Sequence, residues 1–296
     1  MPTFATDQPI ELAIEMGRGV VHVIAADRTD TVVAVHPSDR DRPEDVEAAG
    51  RTTVDLANGT LSVRQRKPGG LAAPLVGWKR SGSVEVIVEL PEGSSLRADA
   101  GVVDVRCDGR LDAVEVKTGA GNVRLDRTGA LRVRTSTGHV AVEAAAGRAE
   151  IVAAGDMTVG LVAGDAILKN LNGRTSIGRV EGNVRVKSAN GDVTIEDAGH
   201  DVTVRTANGN IRLGQVARGS VTVETAAGRL EIGVREGTAA WIDATTRFGQ
   251  VQNDLTSADN PEPSDETVQV RARTAFGDVL IARSSVPQRR GDGSTS

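Results

Sequence analysis

The stretch SANGDVTIEDAGHDVTVRTANGNIRL, Ser188 to Leu213, nearly repeats itself. SANGDVTI returns eighteen residues later as TANGNIRL, and GHDVTV sits between them, half a step out of phase. Written generally, the phrase is Ser/Thr-x-x-Gly-x-apolar-x-apolar. Ser188, Gly191, Val193 and Ile195 fit it, as do Thr206, Gly209, Ile211 and Leu213. Thr225, Gly228, Leu230 and Ile232 follow, and Thr135, Gly138, Val140 and Val142 precede, after Thr118, Gly121, Val123 and Leu125. Gly155 and Gly173 mark two copies without the Ser/Thr. The seven glycines step by 17, 17, 18, 18, 18 and 19 residues.

A second ladder runs between these copies. Gly129, Gly147, Gly164, Gly182 and Gly219 each open another apolar-x-apolar pair, with His200 holding the matching place between the last two. The full pattern beats about every nine residues, twice per turn. Apolar residues at i and i+2 put two side chains on one face of a short strand. Such a strand cannot bury its face alone, but successive turns can stack in parallel around a thin aliphatic core. Glycine opens each strand because the chain must bend sharply there. Aromatics make up 2% of the residues, with no tyrosine, and a narrow interior has little room for rings.

The spacing therefore predicts an all-β parallel solenoid, a single-stranded β-helix of about 18 residues per turn with two sheets. About seven turns would give a rod of roughly 35 Å.

Both flanks change character. Residues 10–90 carry longer alternating runs, including VEVIVELP, and an Asn-Gly pair at Asn58–Gly59 that signals a hairpin. PEDVEAA, Pro43 to Ala49, reads as one short helix with proline in its first turn. We expect residues 1–95 to form antiparallel strands capping the solenoid, residues 96–283 the solenoid with its C-terminal cap, and residues 284–296 a disordered tail. TTRFGQV (245–251) and RTAFGDV (273–279) repeat the phrase with Phe before glycine. Together with Trp241, Phe248 and Phe276 suit a closing aromatic plug.

The run VEVIVELPEGSSLRADAG, the repeated T-x-x-G-[DN]-[VI] units and the ending WIDATTRFGQVQND resemble the bacterial putative-adhesin family of unknown function. The likeness covers roughly residues 10–283. It implies a β-helical fold with β-strand repeats and brings no catalytic residues to carry over.

Composition narrows the function classes. The net charge is −5, which gives no general drive toward nucleic acid. No window offers the apolar length of a membrane span. Cys107 is the single cysteine, so an intrachain disulfide is impossible, which leans toward a reducing compartment. The opening MPTFATDQPIELAIEM has neither a basic n-region nor an apolar h-region. The expected location is the cytoplasm, with a surface or secreted location as the alternative.

Chemistry is sparse. His22, His36, His139 and His200 show no metal-ligand spacing. The doubled glycines and aligned aspartates of a calcium roll are missing, and there is no phosphate-loop motif. We expect no catalytic, cofactor or metal site. Outward positions read Arg124, Ala141, Thr158, Ser176, Thr194, Arg212 and Glu231 on one face. On the other they read Arg132, Glu150, Ile167, Arg185, Thr203 and Thr222. Both are mixed. Asn172, Asn190 and Asn208, eighteen apart, should stack and hydrogen-bond up the ladder, while Ser188, Thr206 and Thr225 satisfy turn backbone groups.

One segment stands out. RQRKPGGLAAPLVGWKRSG (64–82) holds Arg64, Arg66, Lys67, Lys79 and Arg80 with no acid, around Leu71, Leu75 and Trp78. It reads either as an ordinary long hairpin loop with Trp78 folded back on the cap, or as a loop that grips a partner or touches an anionic membrane surface peripherally. The function these features favour is a non-enzymatic scaffold or protein-interaction module, with self-association among its options. The alternatives are a cell-surface adhesin and a carbohydrate-active β-helix enzyme.

Overall fold

The computed structural model describes residues 2–66, 82–255 and 266–284. The chain opens with β1 (Thr3–Ala5), β2 (Glu11–Ala26) and β3 (Asp30–Pro37), then the helix α1 (Pro43–Gly50). β4 (Thr52–Ala57), β5 (Thr60–Gln65), β6 (Val84–Pro91) and β7 (Ser95–Leu111) follow. β2 and β7 are long because each runs through a strand of one sheet and on into the other. They lie in parallel along their length, from Glu11 beside Ser95 to Ile24 beside Asp108. On its other side β2 pairs in parallel with β5 through its first half and with β6 through its second. Among the described residues only β1, β3 and β4 add antiparallel: β4 on β5, β3 on β6 and β1 on β3.

Parallel stacking thus begins at Glu11, well before the expected boundary at residue 95. Alternating apolar residues look the same in a parallel rung and an antiparallel strand, so the pattern in ELAIEMGRGVVHVIAA could not separate the two. The hairpin signal was specific. Asn58 (φ 51°) and Gly59 (φ 77°) are both left-handed, and Ala57 faces Thr60. That is a two-residue turn whose twist matches the flanking strands. The helix also forms where expected, with Pro43 in its first turn, where a missing N–H costs nothing.

Beyond β7 each turn adds one strand to each sheet. The series is β8 (Val114–Ala120), β9 (Val123–Thr128), β10 (Leu131–Thr137), β11 (Val140–Ala145), β12 (Ala149–Ala153), β13 (Met157–Val162) and β14 (Ala166–Asn172). It continues with β15 (Thr175–Val180), β16 (Val184–Asn190), β17 (Val193–Ala198), β18 (Val202–Asn208), β19 (Ile211–Val216), β20 (Gly219–Ala227) and β21 (Leu230–Val234). Even-numbered strands stack in one sheet and odd-numbered strands in the other, parallel throughout. The pairs Val184/Val186, Val193/Ile195, Val202/Val204 and Ile211/Leu213 are all buried. Each such side chain contributes roughly 1.5–3 kcal/mol when removed from water. The core is one continuous column from Ile10 to Ile281.

The last turns are spliced out of order. β22 (Thr238–Phe248) and β23 (Val251–Asn253) precede β24 (Glu266–Phe276) and β25 (Val279–Arg283) in the chain. In space β24 lies between β20 and β22, and β25 between β21 and β23. Counted from β5 through β2, β7 and β8 to β24 and β22, one sheet has twelve parallel rungs. At ~4.8 Å per rung the stack is about 53 Å long, longer than the repeat alone suggested. The rings lie at these last turns but do not enter the interior. Phe248 and Phe276 stack face to face, 5.0 Å between centroids and 9° between planes, on the outside. Trp241 is also exposed, and the interior is filled by Val270, Ala272 and half-buried Ile242. The phenylalanines occupy the corner position that carries Asn208 and Ala227 in earlier rungs, outside the core.

Corner geometry makes a direct demand at Gly191. Its φ is +122°, and a Cβ there would fall 2.1 Å from the carbonyl oxygen of Gly173 on the rung below. Gly191→Ala is expected to cost more than the ~1–2 kcal/mol of the strained backbone alone. Gly50→Ala, which meets nothing within 4 Å, should stay within about 0.5 kcal/mol of wild type. Denaturant melts of the two variants check this; equal midpoints would contradict it.

Candidate functional site

The loop singled out by sequence is entered at Arg64 and Arg66, both exposed. Arg64 lies 3.5 Å from Glu15 on the neighbouring rung. Lys67, Leu71, Leu75, Trp78, Lys79 and Arg80 lie outside the described residues. The two ends of the segment are tied together. Gln65 Oε1 accepts from the Gly17 N–H at 2.7 Å, and its Nε2 donates to the Gly82 carbonyl at 3.2 Å. The Ser83 N–H donates to Asp45 Oδ1 of α1 at 2.8 Å, so the helix braces the far end.

The corners are structural devices. Asn190 Nδ2 donates to Asn172 Oδ1 at 2.9 Å, and Asn208 Nδ2 to Asn190 Oδ1 at 3.0 Å. The residue after several corner glycines does a related job. The backbone N–H of His139 donates to Asn122 Oδ1, that of Asp156 to His139 Nδ1, and that of Arg174 to Asp156 Oδ1. That of Asn210 donates to Asp192 Oδ1. No such bond joins Arg174 to Asp192, because a guanidinium has no acceptor. Thr206 and Thr225 donate to turn carbonyls as expected. Ser188 differs: its Oγ is buried without a partner.

Reactive groups are muted. Cys107 is buried, and burial, reinforced by neighbouring Asp108, pushes its thiol far above its ordinary range, so the nucleophilic thiolate is suppressed. His22 Nε2 lies 2.6 Å from Asp108 Oδ2, and Arg106 Nε donates to the same carboxylate at 2.9 Å. Among the described residues no three His, Cys, Asp or Glu side chains converge as a metal cluster would require.

The flanks hold the most distinctive surface. Register places Ile167, Arg185 and Thr203 in one outward column of β14, β16 and β18. Two residues along each strand stand Lys169, Lys187 and Arg205. Two residues further come Leu171, Ala189 and Ala207. This panel of nine positions carries four cations and no acid. Nearer the N-terminus the same two columns are neutralised: Glu115 lies 3.3 Å from Arg97 and 3.2 Å from Lys117, and Glu150 lies 3.3 Å from Arg132 and 3.4 Å from Arg134. On the far side Arg205 meets Glu224 at 2.9 Å. Lys169, Arg185 and Lys187 make no ion pair among the described residues. Reading the first outward position of each strand showed a mixed face and missed this column. Its signal was present in the eighteen-residue spacing of Lys169, Lys187 and Arg205.

Compared with known proteins, the chain matches the family model described as Toastrack DUF4097 over residues 10–285. Among solved structures it is similar to a putative adhesin from Parabacteroides merdae, at 12% identity and a TM-score of 0.35, covering 95% of this chain and 94% of that one. It is also similar to a putative adhesin from Bacteroides fragilis, at 10% identity and a TM-score of 0.27, covering 95% of each chain. A third is a putative cell adhesion protein from Clostridium sporogenes, at 10% identity and a TM-score of 0.26, covering 95% of this chain and 98% of that one. No curated protein matches.

The site also generates a pH dependence. Burial works to raise Asp108, but hydrogen bonds from Arg106 and His22 outweigh it and hold the carboxyl below its usual range. A depressed carboxylate adds stability that is present above its unfolded value of about 4 and is lost as pH falls through the folded value. Wild type should therefore lose melting temperature between about pH 5 and pH 3. Asp108→Asn should start lower at neutral pH and lose less on acidification. Parallel melting curves for the two proteins would argue against the assignment.

Proposed function

The chain belongs to the Toastrack DUF4097 family, and we propose that it acts there as a non-enzymatic scaffold, an interaction module that presents fixed columns of side chains to a partner. The observation that carries this reading is the panel on β14, β16 and β18, where Lys169, Arg185 and Lys187 stand on neighbouring rungs without an ion-pair partner among the described residues. Like charges directly across neighbouring strands destabilise a sheet. Other charges are answered across rungs: Arg179 by Asp197 at 3.5 Å, Arg205 at the edge of the panel by Glu224 at 2.9 Å and Arg271 by Asp243 at 3.4 Å. A surface that keeps its charges unanswered is suited to an external counter-charge. The shaft adds preorganisation: its strands are locked by neighbours on both sides, so a partner meets side chains that are already spaced.

The basic segment 64–82 is a second contact point in this proposal; its described entry, Arg64 on β5, lies at the opposite end of the stack from β22. Its composition supports that role, and the Gln65–Gly82 clasp joins the two described ends that flank it.

Affinity capture from the native cell tests the proposal. Wild type should retain one or more specific partners that are released by salt. Replacing residues 68–78 with a short Gly/Ser linker should leave the melting temperature unchanged and weaken capture. Identical capture by the linker variant would remove the loop from the proposal. Clear turnover by the purified chain in a glycan hydrolysis and lyase screen would overturn the non-enzymatic reading.

A further inference from the structure

We propose that the outward face of β14, β16 and β18 is a binding strip for an acidic polysaccharide, a linear glycan with carboxylate or sulfate groups at a short, regular interval. This rests on the reading of the shaft as a binding module and names its ligand.

Geometry comes first. Lys169, Lys187 and Arg205 occupy one registered column, so their Cα atoms recur at the rung spacing of ~4.8 Å. Arg185 stands two residues from Lys187 on the same face of β16. Arg205 shares its charge with Glu224, which leaves Lys169, Arg185 and Lys187 for a ligand. Apolar Ile167 and Leu171 border the charges on β14, and Leu171 is 61% exposed. The strip is thus a flat cationic track with an apolar margin, running along the shaft.

Ligand class follows from what such a track can hold. A peptide that adds as a strand needs a free sheet edge, but β14, β16 and β18 are paired on both sides. Single-stranded nucleic acid binds through aromatic stacking platforms. Among the described residues the exposed large rings, Trp241, Phe248 and Phe276, sit on β22 and β24, beyond β20. Outside a repeat fold such as this one, a protein surface does not space its acids at the rung interval, whereas a polymer of repeating anionic units carries them at a constant interval along its whole length. Laid along the column, successive anions of such a chain can meet successive cations without a pocket. Each contact is weak and exposed, so affinity must come from their number and must fall with ionic strength.

The strip is also under strain from its own charge, which supplies a readout independent of binding. Neutralising it relieves repulsion between adjacent rungs, so the variant that loses binding should melt no lower than wild type.

The test is fluorescence anisotropy at low salt with two labelled probes, an oligogalacturonate and a sulfated oligosaccharide, each long enough to span three rungs. Wild type should bind at least one of them, and which one it binds separates carboxylate from sulfate recognition. The triple variant Lys169→Gln, Arg185→Gln, Lys187→Gln should bind at least about tenfold more weakly, equivalent to ~1.4 kcal/mol, with unchanged circular dichroism and an equal or higher melting temperature. Arg124→Gln with Arg212→Gln, on the other sheet, should bind like wild type. Failure of wild type to bind either glycan, equal binding by the triple variant, or tighter binding of an oligodeoxythymidylate at the same salt would each overturn the proposal. If native-cell capture persists in any of these cases, the interaction-module reading stands and only its ligand is wrong.

Discussion

Everything in this molecule depends on one constraint: each residue of a rung lies directly against its counterpart one turn away. Parallel pairing at ~4.8 Å leaves no freedom to offset side chains between neighbours. Apolar residues therefore stack into a single aliphatic column, and corner glycines sit against the carbonyls of the glycines below. Whatever stands at an outward position becomes a member of a column. The asparagine ladder, the corner bonds through Asp156 and Asn122, and the Phe248–Phe276 stack are all versions of this one rule. The chemical character of a column is set by whether its members help or oppose one another at that distance.

Stacking of this kind needs endings, because a parallel rung leaves a row of backbone groups unpaired at each end. The N-terminal end is closed by strands of opposite direction. β4 returns on β5 through a tight turn, and β1 and β3 cover β6, with α1 braced alongside through Asp45. The C-terminal end is treated differently. The chain lays down β22 and β23 and then returns to insert β24 and β25 beneath them. The final rung is held from within by residues that come later in the sequence. Asp243 on β22 pairs with both Arg271 and Arg273 of the inserted strand, which adds a charge contact to the backbone ladder.

The same rule gives the charged surface its meaning. At several places on the shaft opposite charges face each other across rungs, as Arg97 faces Glu115 and Arg205 faces Glu224, which turns enforced proximity into modest stabilisation. At Lys169, Arg185 and Lys187 the proximity remains and the compensation does not. These residues are distinctive for placing three like charges on two adjacent rungs with no ion-pair partner among the described residues.

Sequence by itself determined the solenoid, its two-beat turn, the hairpin at Asn58–Gly59, the short helix and the stacked asparagines. Each is set by local chemistry repeated at a fixed interval: a glycine the bend requires, an apolar pair the core requires, an amide that bonds its own copy. Tertiary structure decided where the stack begins, since the alternation in β2 serves a parallel rung and an antiparallel strand equally well. It decided the inverted order of the last two turns, since β24 carries the same repeat whichever neighbour it joins. It placed Phe248 and Phe276 outside the core, because a residue just before the corner glycine lies past the point where the sheets enclose the interior. The cationic panel lay between these cases. Lys169, Lys187 and Arg205 were legible as an eighteen-residue series, but that Arg205 meets Glu224 while Lys169 and Lys187 meet no acid among the described residues became visible only when register fixed which charges lie within reach of one another.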